Sequence, residues 1–232
     1  MNVLAFDTCF AACSAAILCR DGSADHLSWR YEEMTTGHAE RLMPMIDEVL
    51  RESGQSLDAL DAIAVSEGPG TFTGTRVGVA AARGLALATG LPIRATTSLH
   101  VMAHRALAEL GSAATARILA VCVDARAGQV FVQMFETERG DVITEAAIMK
   151  PDSALATFPD TPLLCVGSGG AAVAGEALRA GLSAEAKLPA LQPDARVLAR
   201  LAEKLPVRKP LVPLYLRPPD AKPQVGKSLP HA

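Results

Sequence analysis

Two aspartates stand where an apolar run ends and a tight turn begins. Asp7 closes the run of residues 2–6, and Asp124 closes that of residues 118–123. Carboxylates at buried strand ends can organise a magnesium ion and the phosphates of a nucleotide, with the Thr8 hydroxyl beside them. Turns that approach phosphate closely need glycine, however. Asp7 is followed by TCFAAC, which has none, and Asp124 by ARAG, which has one. Simple turn capping by Asp is the competing explanation. Asp7, Thr8 and Asp124 are therefore the candidate nucleotide ligands, and the crowded turns lead us to expect no cofactor.

Residues 66–88 read SEGPGTFTGTRVGVAAARGLALA. A Walker loop needs G-x-x-x-x-G-K-[ST], with the lysine reaching the phosphates. Here Gly70 and Gly74 have three residues between them, Gly68 and Gly74 have five, and Arg76 stands near the lysine's place. In a dinucleotide loop, G-x-G-x-x-G, the third glycine would come one place earlier than Gly74. The spacing predicts a bend followed by a helix. Along that helix Gly74, Gly78 and Ala82 recur every fourth residue, as do Ala80, Gly84 and Ala88. Small residues at that interval let another backbone come close, a steric effect best known from membrane helices. Each interior glycine costs about 1 kcal/mol against alanine. A compensating contact is expected, within the chain or with a partner.

His100 and His104 share a helical face but lack the glutamate of H-E-x-x-H, since Val101 holds that place. Glu109 is more than a turn away, so two surface histidines without a metal are expected. The five cysteines, Cys9, Cys13, Cys19, Cys122 and Cys165, are odd in number and mostly lie in apolar runs, which fits buried free thiols.

These residues need elements to hold them. After the first strand, residues 13–19 form a second, Asp21-Gly22 marks a turn, and residues 24–31 return. In TTGHAERLMPMIDEVLRESG, Leu42, Ile46, Val49 and Leu50 share a helical face. Gly54 stops that helix, and Pro44 kinks it or marks its first turn. A strand at 62–65, a helix at 73–89 stopped by Gly90, a strand at 92–96 and a helix capped by Ser98 and running to Leu110 follow. The second half offers strands at 118–123, 129–136, 142–149 and 163–166. The glycine run from Gly167 to Gly170 opens a helix, and the last helix covers 195–204. Beyond Pro206 a proline-rich tail is extended, with Tyr215 and Arg217 pinning it.

VLAFDT…CSAAIL is echoed by ILAVCVDAR…VFVQMF half a chain later. The repeat predicts an α/β chain of duplicated lobes, mixed sheets flanked by helices, as in actin-like and ribonuclease H-like architectures. The expected division is 1–110, a smaller lobe at 111–205, and a tail at 206–232.

The chain has 232 residues, half of them hydrophobic, enough for two small lobes with real cores. Its 22 basic and 25 acidic residues give −3, so RNA would be met only with help from another chain. The start MNVLAFDT lacks the basic and apolar segments of a signal peptide, and no run of eighteen apolar residues occurs. We expect no membrane contact and a cytoplasmic location.

Five stretches resemble the TsaB (YeaZ) family: AFDT, HAERLMPMIDEVL, DAIAVSEGPGTFTGTRVGVAAARGLALATGLPI, VDARAGQVF and PLYLRPPDA. They run in order through nearly the whole chain, and GPGTFTGTRVG is the most specific. The resemblance implies an actin-like fold with a shrunken second lobe. It implies a non-catalytic role in making threonylcarbamoyladenosine on tRNA, beside a metal-bearing paralogue, TsaD, that transfers the threonylcarbamoyl group to the adenosine next to the anticodon. TsaE, an ATPase, joins that assembly, and TsaC makes the threonylcarbamoyl-adenylate; tRNA is met indirectly, through the complex. In the family, pairing runs through first-lobe helices, here His38–Ser53 and residues 73–89. The interface is thus expected at His38, Leu42, Met45, Ile46, Gly74, Arg76, Gly78, Val79, Ala82 and Arg83, and the lone chain can pair with itself through the same helices. The metal histidines of TsaD fall on Ser98 and Met102, so no metal is carried over. The alternative is a nucleotide-dependent ATPase or phosphotransferase using Asp7 and Asp124, with a peptidase a weak third.

Overall fold

Two five-stranded sheets built to one plan carry the chain, and the computed structural model describes residues 1–21 and 24–216. In the first, β1 (Val3–Asp7), β2 (Ala12–Asp21), β3 (Ala24–Glu33), β4 (Ala62–Ser66) and β5 (Ile93–Thr96) lie in the order β3-β2-β1-β4-β5. In the second, β6 (Ile118–Asp124), β7 (Val130–Glu136), β8 (Ala147–Met149), β9 (Leu163–Val166) and β10 (Ala184–Lys187) lie in the order β8-β7-β6-β9-β10. In both, the three strands of the meander pair antiparallel and the remaining two add in parallel. This is the duplicated actin-like fold. β1 and β4 are buried at every position, which explains their unbroken apolar runs: strands covered on both faces need no polar alternation.

The helices are α1 (His38–Ser53), α2 (Phe72–Thr89), α3 (Ser98–Leu110), α4 (Pro151–Ala154), α5 (Gly170–Arg179) and α6 (Ala195–Leu201). Gly54 and Gly90 end α1 and α2 in the left-handed conformation, at φ 66° and 76°. Pro44 stays inside α1, which runs on through it. Thr97 caps α3, accepting from the His100 amide at 3.0 Å, and Ser98, the residue expected there, is the first of the helix instead.

Two further expectations change. Residues 142–149 form no continuous strand: only Ala147–Met149 pairs along β7, with Val142 making a single bridge to Phe135. Nor was β10 expected: its AEAK alternates alanine with charge, but over four residues and with too little apolar surface to mark a strand. The Asp21-Gly22 turn and Arg217 fall on or beyond the limits of the described residues.

Helices cross between the two halves of the chain. α1 and α2 cover one face of the first sheet, where Leu42, Met45, Ile46, Val79 and Ala82 meet Leu4, Phe6 and Ile63. Its other face is covered by α6, from the second half: Ala195, Leu198 and Ala199 lie on Val3, Ala5, Ala16 and Leu18. In return α3 lays Leu99, Met102 and Ala103 on Leu119, Val121 and Phe135 of the second sheet. α5 closes that sheet's outer face. A cut at residue 110 therefore does not separate two packing units. The segment after α6 runs along β5, with the Ala95 amide donating to Pro206 O (3.3 Å) and the Arg208 amide to Ile93 O (2.9 Å). Among the described residues no helix is long and apolar enough to cross a membrane.

The exchange makes Leu198 a test residue. It is fully buried, and Leu198→Ala should cost about 2–4 kcal/mol in urea unfolding of the whole chain. Leu178→Ala, at a position 58% exposed on α5, should change stability by less than about 0.5 kcal/mol.

Candidate functional site

The turn after β1 is where a duplicated fold of this kind offers groups to a ligand, and here those groups face inward. Asp7 and Thr8 are each 1% exposed. The Thr8 hydroxyl donates to Gly74 O at 2.7 Å. One Asp7 oxygen accepts the Cys9 amide at 2.8 Å, while Asp7 Oδ2 and the Ser66 hydroxyl are buried without a partner. Burial pushes the Asp7 carboxyl up to about 6, against the opposing pull of the nearby Ser66 hydroxyl, the Cys9 amide and His38. Cys9 and Phe10 then enter the core of the second half with Leu99, Met102 and Val123, and the Phe10 ring lies 6.1 Å from that of Phe131. Apolar side chains thus fill the junction between the two strand-turn-strand units. Asp124 is exposed, and its amide donates to Ser168 Oγ at 2.9 Å. The two aspartates expected to act together sit in unlike surroundings, one sealed and one in water.

The glycine turn before α2 lies directly on this element. The Thr71 amide donates to Cys9 O at 2.6 Å. A Cβ at Gly70 would run into the Cys9 carbonyl, one at Gly74 into the Thr8 carbonyl, and one at Gly78 would stand 2.8 Å from Thr8 Oγ1. The contact that compensates these glycines is therefore inside the chain. This corrects the expected interface. His38, Leu42, Met45, Ile46, Gly74, Gly78, Val79 and Ala82 are all buried in the chain's own packing, and His38 Nε2 lies 3.0 Å from Phe10 O. Of the ten residues only Arg76 and Arg83 face out.

Beside them α2 presents its second small row, Ala80, Gly84 and Ala88, with Leu87 at 89% exposure. Nothing lies within 4 Å of a Cβ built at Gly84. On α1, Met43 is 48% exposed. Sequence reasoning recorded the second row but chose the first, because glycine and alanine give too little hydrophobic contrast to set the phase of the helix. Arg76 is held in place: its Nε donates to Tyr215 Oη (2.6 Å), and its guanidinium lies 3.5 Å above the Phe72 ring, which stacks on Tyr215.

A family model described as TsaD: tRNA N6-adenosine threonylcarbamoyltransferase matches residues 32–191. The Escherichia coli protein named tRNA threonylcarbamoyladenosine biosynthesis protein TsaB is 36% identical over 156 residues, which is 66% of this chain and 64% of that protein. Its Haemophilus influenzae namesake is 34% identical over 183 residues, 74% of each chain. The chain belongs to the TsaB (YeaZ) family. The solved structure of YeaZ from Pseudomonas aeruginosa superposes with a TM-score of 0.78 at 29% identity, covering 93% of this chain and 99% of that one.

In this TsaB-family chain the histidine pair is not at the surface, contrary to expectation. His100 and His104 are half-buried. His100 Nδ1 lies 2.7 Å from Thr96 Oγ1, its Nε2 is 3.1 Å from His104 Nε2, and its ring stacks on Phe135. Burial, then His104, pushes His100 down to about 4, so the pair is neutral near pH 7. Among the described residues no group of three His, Cys, Asp or Glu could hold a metal ion. All five cysteines are free thiols, and four are buried.

The two glycine rows should separate cleanly. Gly74→Ala forces a methyl against backbone and should lose about 2 kcal/mol or more in urea unfolding. Gly84→Ala, in open space mid-helix, should gain about 1 kcal/mol. Asp7 gives a pH signature. Its folded-state pKa lies above the ordinary 3.8, so its contribution is full below about pH 4 and is lost as pH rises through 6. Asp7→Asn should thus stabilise the chain by about 1–3 kcal/mol at pH 8, with the gain shrinking toward pH 4, as read from urea midpoints across that range.

Proposed function

We propose that this chain is the non-catalytic subunit in the synthesis of threonylcarbamoyladenosine on tRNA. It pairs with a TsaD-type catalytic paralogue through the outer faces of α1 and α2, so that the paralogue can transfer the threonylcarbamoyl group to the adenosine beside the anticodon. The observation that carries this is α2: its inner row is engaged with its own chain, while Ala80, Gly84, Leu87 and Ala88 are bare. Small residues permit close helix contact, and an exposed leucine among them favours cover. The names of the relatives and the match to a TsaD model support the pathway and a partner of like fold. The sealed Asp7 and the engaged Thr8 hydroxyl support a role without catalysis. In the absence of the paralogue the same face would pair two copies of this chain. A TsaE-type ATPase completes the assembly, and the tRNA substrate places it in the cytoplasm.

The test is a pair of charge insertions at the bare face. Leu87→Arg and Ala80→Arg should keep the native circular dichroism and melting point yet weaken pairing with the paralogue at least about a hundredfold in light scattering. Both should cut threonylcarbamoyl transfer in the reconstituted system. Pairing at native strength would overturn this interface. Ala82→Arg, at a fully buried position, should unfold the chain instead.

A further inference from the structure

On the face of the first sheet opposite α1 and α2, the edge strand β3 meets α3 and α6 around an open concavity of about 350 Å³. Trp29, the only tryptophan in the chain, stands on β3 across from Ala16 and so on the α6 side of the sheet. Arg105 and Glu109 come from α3, and Asp194, Arg196 and Arg200 from α6 and its cap.

Two of the three guanidinium groups are fixed by one edge each. Arg196 Nε lies 3.0 Å from both oxygens of Asp194, its Nη2 donates to Asp194 Oδ2 at 2.6 Å, and its plane lies 4.0 Å over the Trp29 ring. Arg105 Nε donates to Glu109 at 2.7 Å, and its Nη1 to Gln192 O at 3.0 Å and to Tyr31 Oη at 3.3 Å. Asp194, 2% exposed, is wholly engaged by these cations. A staple tying α6 to α3 accounts for these inner edges. It does not account for the rest. Among the described residues, Arg105 Nη2, Arg196 Nη1 and all of Arg200 donate to nothing, and Trp29 is 40% exposed. Three cations against two carboxylates leave one positive charge at this opening, in a chain whose net charge is −3. Guanidinium forks already held in place suit phosphate oxygens and lose little freedom on binding. Arg196 takes one face of the indole, and the exposed remainder of the ring offers a surface for a base.

We propose that this concavity holds one nucleotide of an RNA strand, with its phosphate on Arg200 and the free edges of Arg105 and Arg196 and its base against Trp29. The site would give the chain an RNA contact of its own, which its overall charge did not suggest. The inference rests on the RNA-modifying role proposed above, but its test uses the isolated full-length chain, so failure here leaves the pairing experiment untouched.

Trp29 fluorescence reports the site directly. The chain is titrated with an eight-nucleotide single-stranded RNA, AMP, adenosine and inorganic phosphate. RNA and AMP should shift the emission, with adenosine and phosphate at least about tenfold weaker. Arg200→Glu should weaken RNA binding about tenfold or more, and Arg200→Ala should lower the salt slope by about one. Both should keep native circular dichroism, and Arg139→Glu, at an exposed position after β7, should change nothing. The proposal is overturned if RNA leaves the emission unaltered or if the response survives Arg200→Glu. It is also overturned if adenosine or inorganic phosphate binds as tightly as AMP.

Discussion

Backbone lies on backbone where the turn before α2 meets the turn after β1, and the rest of the molecule is arranged around that contact. Gly70, Gly74 and Gly78 leave no side chain between the two segments, so the Thr71 amide reaches Cys9 O and the Thr8 hydroxyl reaches Gly74 O. Three consequences follow. α2 is fixed on the first sheet with one small row inward and the other outward. Thr8 and Asp7 are sealed. Cys9 and Phe10 are directed into the second half, where they join its core. The same few atoms therefore decide which helix face is bare and why the junction between the halves is closed.

Closing that junction has a cost. Asp7 keeps one oxygen without a donor inside the protein, a defect worth about 1–3 kcal/mol. It is offset by the apolar surface that Cys9 and Phe10 remove from water. In a nucleotide-binding site of this kind the balance runs the other way, because the turn must leave its amides and hydroxyls open to phosphate. Here the chain's own glycine segment occupies that approach.

Most elements were legible in the sequence because their signals are local. The runs that became β1, β4 and β6 are apolar throughout, and Gly54 and Gly90 mark helix ends by conformational need. What was not legible has physical causes. β10 is an edge strand that pairs with β9 and lays only Ala184 on the core beside α5, so its sequence carries too little apolar surface to stand out. Residues 142–146 look strand-like, but beyond the bridge at Val142 they meet β7 through irregular bonds, the Ile143 amide donating to Met134 O and the Thr144 hydroxyl accepting the Met134 amide, which no periodicity announces. The phase of α2 depends on what a missing side chain would touch, which no periodicity reveals. The concavity at Trp29 gathers residues far apart in the sequence, and only the crossing of α3 and α6 brings them together.

That crossing also bears on how the protein is made. A growing chain ordinarily completes its N-terminal domain first. Here the first sheet cannot be covered on both sides until α6, the last α-helix among the described residues, has been synthesised. Until α6 emerges, Val3, Ala5, Ala16 and Leu18 therefore lack that cover and form a sticky nascent surface. Maturation of the first sheet thus waits for the second half of the chain, an interval that suits proteins able to shield emerging apolar segments.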